Sequence, residues 1–521
     1  MGSPRAFAVG DLNAFFALLL DNVVNLVVLA GILAGAFGFP AEFVVTRMVP
    51  GTALGVLVGD LLYALMAVRA SRRTGRPHTA MPLGLDTPST IGIAIVVIGP
   101  VFAASKDPVV AWEVGMATLV LMGVAKVVLS FAGDAVLRVV PRAGLLGPIA
   151  GVGLALLGLF PLVRIFSAPV AGLVATGIVL YALVARRPLP GRIPGALAAV
   201  AAGTAVWWAM RALGLEDGGG AHGAATIGVH LPLPEPGRVL AGLPRAVEFL
   251  PVAVPFGLLT IVGGINVTES ARVAGDEYRT RDVLLVEAFA TLAAGLCGGV
   301  AQSTPYIGHP AYKAMGARSG YVIATALAVG VGGALGVLGA LVDWLPEVAV
   351  APILLFVGLE ITVQAFSATE RDHLPAAALA VVPVIAYLVS IYTDQLIGAG
   401  AKPNPALAAE CATVSVLGRG FILTAMLWGA AAAFLQDRRA VALLIAFAVL
   451  AAFSLFGVVH SVHPAGALYL PDLADPRPLR IAAAYALTGG MLAALTAWSA
   501  RGPGKRSVPG RAPSRQASRP G

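Results

Sequence analysis

MPLGLDTPST, residues Met81 to Thr90, and AQSTPYIGHP, residues Ala301 to Pro310, interrupt a chain that is otherwise strongly apolar. Each follows an apolar helix and its turn, and each leads into further membrane-compatible sequence. Pro82, Pro88, Pro305 and Pro310 remove backbone donors, so neither stretch can continue a helix. Backbone groups freed at membrane depth must line a polar cavity or be covered by protein. The two breaks occupy matching points in the two halves of the chain. Paired interruptions of this kind point to a central binding site between inverted repeats, as in secondary transporters.

Working outward, composition excludes a soluble globular protein. Of the 521 residues 58% are hydrophobic and only 12% are charged, against about 25% charged in soluble domains. The 62 glycines lie largely inside apolar segments such as Val329 to Val342, where they suit close helix packing. The net charge of +8 resides in short loops and a tail, which reads as a topology signal and not as a nucleic-acid surface. Cys297 and Cys411 form no disulfide framework or metal-site spacing. No nucleotide loop, HExxH or GxSxG in a strand–turn–helix setting supports an enzyme.

The expected fold is an all-α polytopic membrane protein built as a 7+7 inverted repeat. Residues 1–213 form the first repeat, 214–244 an exposed connection and 245–436 the second repeat. Two additional helices follow in 437–500, and 501–521 reads as a disordered basic tail. The segment Leu407 to Phe434 is long and contains Arg419, so it reads as one span or two pieces. With a cytoplasmic N-terminus, alternation puts Arg69/Arg72/Arg73/Arg76, Arg272/Arg279/Arg281, Arg438/Arg439 and the basic tail on one face. That face carries a roughly twofold to threefold excess of positive charge, as the positive-inside rule requires for the cytoplasmic side of a cell inner membrane.

Polar residues inside spans are costly and mark pathways or packing hydrogen bonds. Asn266, Glu269 and Ser270 share a helical face in INVTES, beside Thr268. A carboxylate there can accept hydrogen bonds from a polar substrate or take up a proton. The second break supplies Gln302, Ser303, Thr304, Tyr306 and His309; the first supplies Asp86, Thr87 and Ser89. Thr87 or Ser89 is placed to cap the following half-helix. Asp21 and Asn25 stand one turn apart in the first span, and Asp60, Tyr63, Glu360 and Gln364 are weaker candidates of the same kind. Substrate binding is expected at Glu269, Asn266, Thr268, Gln302, Ser303, Thr304, Tyr306, Asp86, Thr87 and Ser89. Coupling to H⁺ or Na⁺ is expected at Glu269, Asp21, Asn25 or His309, with no other cofactor and no metal.

DNVVNLVVLAGIL, MPLGLDTPSTIGIA, INVTESARVAGDEYRTRDVLLVEAFA and GGVAQSTPYIGHPAYKAMGARSGY together resemble the xanthine/uracil/ascorbate permeases over roughly Asp11 to Phe434. The resemblance implies fourteen spans, short extended stretches meeting at the substrate, and a substrate-binding carboxylate at Glu269. It further implies a nucleobase-like solute and a homodimer in the lipid bilayer. Where the family carries a second acidic residue after the second break, this chain has Gly308-His309. That departure leaves room for a carrier of an organic or inorganic anion; a non-transporting membrane sensor or scaffold is the alternative from another class.

Overall fold

The computed structural model of the chain describes residues 7–8, 10–193, 195–216, 227–306, 308–398, 400–463, 468–471 and 475–501. The chain is a multi-pass membrane protein with a 7+7 inverted-repeat fold, almost entirely helical. Among the described residues, eight helices are long and apolar enough to cross a bilayer, from Gly10–Gly35 to Pro476–Ser499. Shorter apolar helices such as Gly320–Ala334 and Ala440–Leu455 fill in between them. The ambiguous segment around Arg419 is two helices, Pro405–Gly418 and Phe421–Gln436, bent by 73°. Gly420 makes that bend at φ +68°, a left-handed conformation that glycine adopts without a Cβ penalty. The basic tail beyond Arg501 lies outside the described residues.

The two breaks meet at the centre. Leu83–Leu85 (β1) and Ser303–Pro305 (β2) pair antiparallel, with Leu83 opposite Pro305, Gly84 opposite Thr304 and Leu85 opposite Ser303. Two flanking bonds lengthen the ladder: Asp86 N–H donates to Gln302 O at 2.9 Å, and Tyr306 N–H to Pro82 O at 2.7 Å. Each strand then yields to a helix. Thr87–Gly92 starts a helical run that reaches Ser105, and His309–Ala314 follows β2.

A helix of the first repeat, Val49–Thr74, locks against the second repeat through Gly51, Gly55 and Gly59. A Cβ on Gly51 would fall 2.2 Å from Gly299 N, and one on Gly59 would fall 2.3 Å from a Leu83 methyl. Glycines four residues apart therefore let two backbones approach where no larger residue fits, as small-xxx-small patterns do in membranes. The same helix carries Asp60, so its close approach delivers a carboxylate to the edge of β1.

Candidate functional site

A two-stranded sheet inside a membrane has two unpaired edges, and every edge group needs a partner. Spans packed against this sheet supply them. Asp60 Oδ1 accepts from Leu83 N–H and Asn22 Oδ1 from Leu85 N–H, both at 3.1 Å. On β2, Lys126 Nζ donates to Ser303 O at 3.2 Å. Asn22, Asp60 and Lys126 are all buried. These intramembrane polar side chains close the edges of the sheet.

Lys126 itself is balanced. Its Nζ lies 2.7 Å from Glu287 Oε1, with both side chains fully buried, and 3.2 Å from Thr291 Oγ1. The pair joins the Pro108–Val139 helix of one repeat to the Thr280–Leu296 helix of the other. The ammonium is thus ion-paired to Glu287 and hydrogen-bonded to Thr291 and Ser303, which holds β2 in place. Sequence reasoning missed Lys126, Glu287 and Thr291 as site residues. The available signal was a lysine and a glutamate of opposite sign, each inside an apolar span.

The polar face of the sheet is acidic. Asp86 caps the half-helix through Ser89 N–H at 3.0 Å and accepts from Gln302 Nε2 at 3.2 Å, so one carboxylate ties the two breaks together. Thr90 Oγ1 and Ser89 Oγ both turn back to Asp86 O. The cap is Asp86, and Thr87 and Ser89 lie buried within the first turn. Asp21 lies over the middle of β1: a Cβ on Gly84 would come 2.9 Å from its Oδ2. Asn25 Nδ2 donates to Asp21 O at 3.0 Å. Several acceptors here are buried without a partner, namely Asp21 Oδ2, Asn25 Oδ1 and Gln302 Oε1; the Ser303 hydroxyl is likewise unpaired. Thr304 stands opposite Gly84, and Tyr306 packs its ring 6.2 Å from that of Tyr312. Tyr63 donates to Val283 O at 3.0 Å, a packing bond between the repeats.

The other expected ligands sit elsewhere. The Leu250–Val273 helix meets β2 at Gly264, where an added Cβ would lie 3.5 Å from Pro305 and 3.1 Å from Glu287 Oε2. Thr268 shares that face and donates to Gly264 O at 2.7 Å. Glu269, five residues on from Gly264, lies roughly 140° round the helix. Its carboxylate is exposed and bound to Arg272 through two hydrogen bonds. Glu360 is exposed as well, and the side chains of Asn266 and Gln364 lie outside the described residues.

His309 belongs to a cluster at the end of the sheet nearer Thr79. Its Nε2 lies 3.2 Å from Thr79 O and 3.4 Å from Asp276 Oδ2, two acceptors that place the proton on that nitrogen. Lys313 Nζ reaches Asp276 Oδ1 at 2.8 Å, Thr79 N–H donates to Asp276 Oδ2 at 3.2 Å, and Tyr278 donates to Thr79 O at 2.6 Å. Asp276 lies in the turn after the Leu250–Val273 helix. Burial pushes its carboxyl up, but the bonds from His309 and Lys313 outweigh burial and hold it below the ordinary value.

No protein-family model matches the chain, and neither does any curated protein. Solved structures do. The transmembrane domain of the cyanobacterium bicarbonate transporter BicA superposes with a TM-score of 0.51 at 18% identity, over 75% of this chain and 97% of that one. The overall structure of SLC26A9 superposes with a TM-score of 0.53 at 12% identity, over 75% of this chain and 66% of that one. At these identities the likeness is one of fold. It corrects the expected membership of the xanthine/uracil/ascorbate permeases, because the structures the chain superposes on are the bicarbonate transporter BicA and SLC26A9. Of the residues behind that resemblance, those in the two breaks build the meeting strands and the Asp86 cap. An inverted repeat with two broken spans needs such residues whatever it carries, so they report the fold more than the family. The chain has the fold of BicA and SLC26A9, with two further helices after the second repeat.

Proposed function

We propose that the chain is a secondary transporter for a small organic or inorganic anion, taken up between the two breaks together with H⁺ or Na⁺. The observation that carries this reading is the charge balance at the sheet. Asp21 and Asp86 lie within Coulombic reach of each other, and among the described residues neither forms an ion pair. Lys126 is committed to Glu287, Thr291 and Ser303. An anion entering beside two carboxylates needs positive charge to travel with it, as a proton on a carboxyl or as a bound cation. The unpartnered oxygens of Asp21, Asn25 and Gln302 are hard donors of the type that hold Na⁺ or a proton.

The fold supports transport, and the likeness to a bicarbonate transporter favours an anion over a nucleobase. The helix run from Thr87 to Ser105 directs its positive dipole end at the sheet, which suits an anion that enters with a cation beside Asp86. Alternating access would move one repeat-built bundle against the other around the strands.

The test is uptake into proteoliposomes of labelled bicarbonate, sulfate, fumarate and uracil, each under imposed H⁺ or Na⁺ gradients. We expect an anion to accumulate only when one of the cation gradients is present. Accumulation of uracil alone, or of no solute under any gradient, would sink the reading. Asp21→Asn and Asp86→Asn identify the cation-linked carboxyl as the one whose loss abolishes gradient-driven uptake yet leaves counterflow exchange.

A further inference from the structure

Outside the repeats, the Ala440–Leu455 and Pro476–Arg501 helices pack on each other, and Ala440–Leu455 packs against Phe421–Gln436. Between them and the 73° bend lies a cavity of about 600 Å³ with almost wholly apolar walls. That volume falls within the range of about 300–1,000 Å³ usual for small-molecule sites. Leu435, Leu443 and Leu492 line one end, and Val416, His460 and Ile481 the other. From Ile481 to Leu492 the slot runs about 16 Å along the helix. This is about half of the roughly 30 Å hydrocarbon core, the depth of one leaflet. Exposed lining residues Leu379, Thr413, Leu435 and Ala484 open it to the outer surface of these apolar helices.

At the His460 end the polar side chains are already bonded. His460 Nε2 pairs with the Tyr485 hydroxyl at 2.6 Å, Trp428 Nε1 donates to that hydroxyl at 3.0 Å, and His460 Nδ1 faces Val416 O at 3.3 Å. The far end therefore recruits no polar head and accepts a hydrocarbon tip. At the near end the helices turn at Arg438 and Arg439, three residues after Leu435 and four before Leu443. Both arginines are exposed, and Arg439 stacks over Phe434 at 5.0 Å. The neighbouring Asp437 is held by His373 at 2.8 Å.

We propose that this slot is a binding site for an anionic phospholipid, with one acyl chain in the cavity and the phosphate at Arg438 and Arg439. Because its wall includes the helices on both sides of the Arg419–Gly420 bend, occupancy would brace that bend.

The test uses full-length protein in detergent, titrated with phosphatidylglycerol or phosphatidylcholine brominated along the acyl chain, with quenching of the Trp428 emission as readout. That emission is defined as the part lost in Trp428→Phe. Brominated phosphatidylglycerol should quench it saturably. Phosphatidylcholine, and phosphatidylglycerol on Arg438→Gln/Arg439→Gln, should need roughly 30-fold more lipid, as two surface cations imply. Ala432→Phe, or Ala484→Phe if the first does not fold, should abolish saturable quenching by filling the slot. Equal quenching by both lipids, quenching that survives the filled cavity, or no quenching would each overturn the proposal.

Discussion

Lys126→Met removes a buried ammonium and leaves two groups stranded: the Glu287 carboxylate, 2.7 Å away, and the Ser303 carbonyl on the outer edge of β2. Breaking one side of a buried ion pair costs about 3–5 kcal/mol, because the remaining charge has no water to return to. Glu287→Gln should cost a similar amount, since it strands the ammonium instead. Lys126→Met/Glu287→Gln removes both charges and leaves mainly the edge carbonyl without its donor, a cost of about 1–3 kcal/mol. The double variant should therefore be more stable than either single variant, a reversal that simple loss of packing does not produce. Equilibrium unfolding in mixed micelles with rising SDS measures all three. The reasoning is refuted if the double variant is less stable than both singles, or if each single costs under about 1 kcal/mol. In uptake assays the double variant should recover part of the transport that either single loses, since β2 regains a neutral surrounding.

Gly51→Val should abolish stable expression, because its Cβ would sit 2.2 Å from Gly299 N and backbone cannot yield cheaply; size-exclusion yield reads this directly. Gly84→Ala should keep the fold but displace the Asp21 carboxylate, whose Oδ2 would lie 2.9 Å from the new methyl. Cation-gradient-driven uptake should then fall more than exchange does. Asp276 is held below its ordinary 3.8 by His309 and Lys313 after burial has pushed the other way, so its contribution to stability is present above 3.8 and lost as pH falls through the folded value. Asp276→Asn should lower stability at neutral pH and flatten the acid limb, as acid titration of thermal unfolding would reveal. Glu269→Gln should leave folding and anion uptake near wild type, because the carboxylate is exposed and bound to Arg272. A tenfold or greater loss of uptake would mean that Glu269 turns inward during the cycle.

Much of the architecture was legible because the bilayer imposes it. Apolar composition gave the membrane-spanning class, and proline positions gave the breaks at Met81 to Thr90 and Ala301 to Pro310. The fold class needed nothing else, since a chain at membrane depth must satisfy its backbone within helices or cover what it frees. The candidate site was legible only in part. Asp86, Gln302 and Asp21 could be named from their cost in a span, but Asp86 as the cap that also ties β1's break to β2's required the strands to be brought together.

Family assignment failed for a related reason: residues that close a pair of broken spans recur wherever that fold recurs. Periodicity also placed Glu269 beside Asn266 on one face without saying which face meets β2, and that face carries Gly264. What the sequence by itself determined is part of the set of polar residues the membrane would not tolerate unpaired, Asp21, Asp60 and Asp86 among them, while Lys126 and Glu287 went unnamed. Only the tertiary structure decided their partners, because Asn22, Asp60 and Lys126 find theirs 63, 23 and 177 residues away. The first two depend on how the first repeat folds on itself, and the third on how the two repeats interlock. Physically, burial cost is a property of one residue in one span, whereas its relief is a property of the pair.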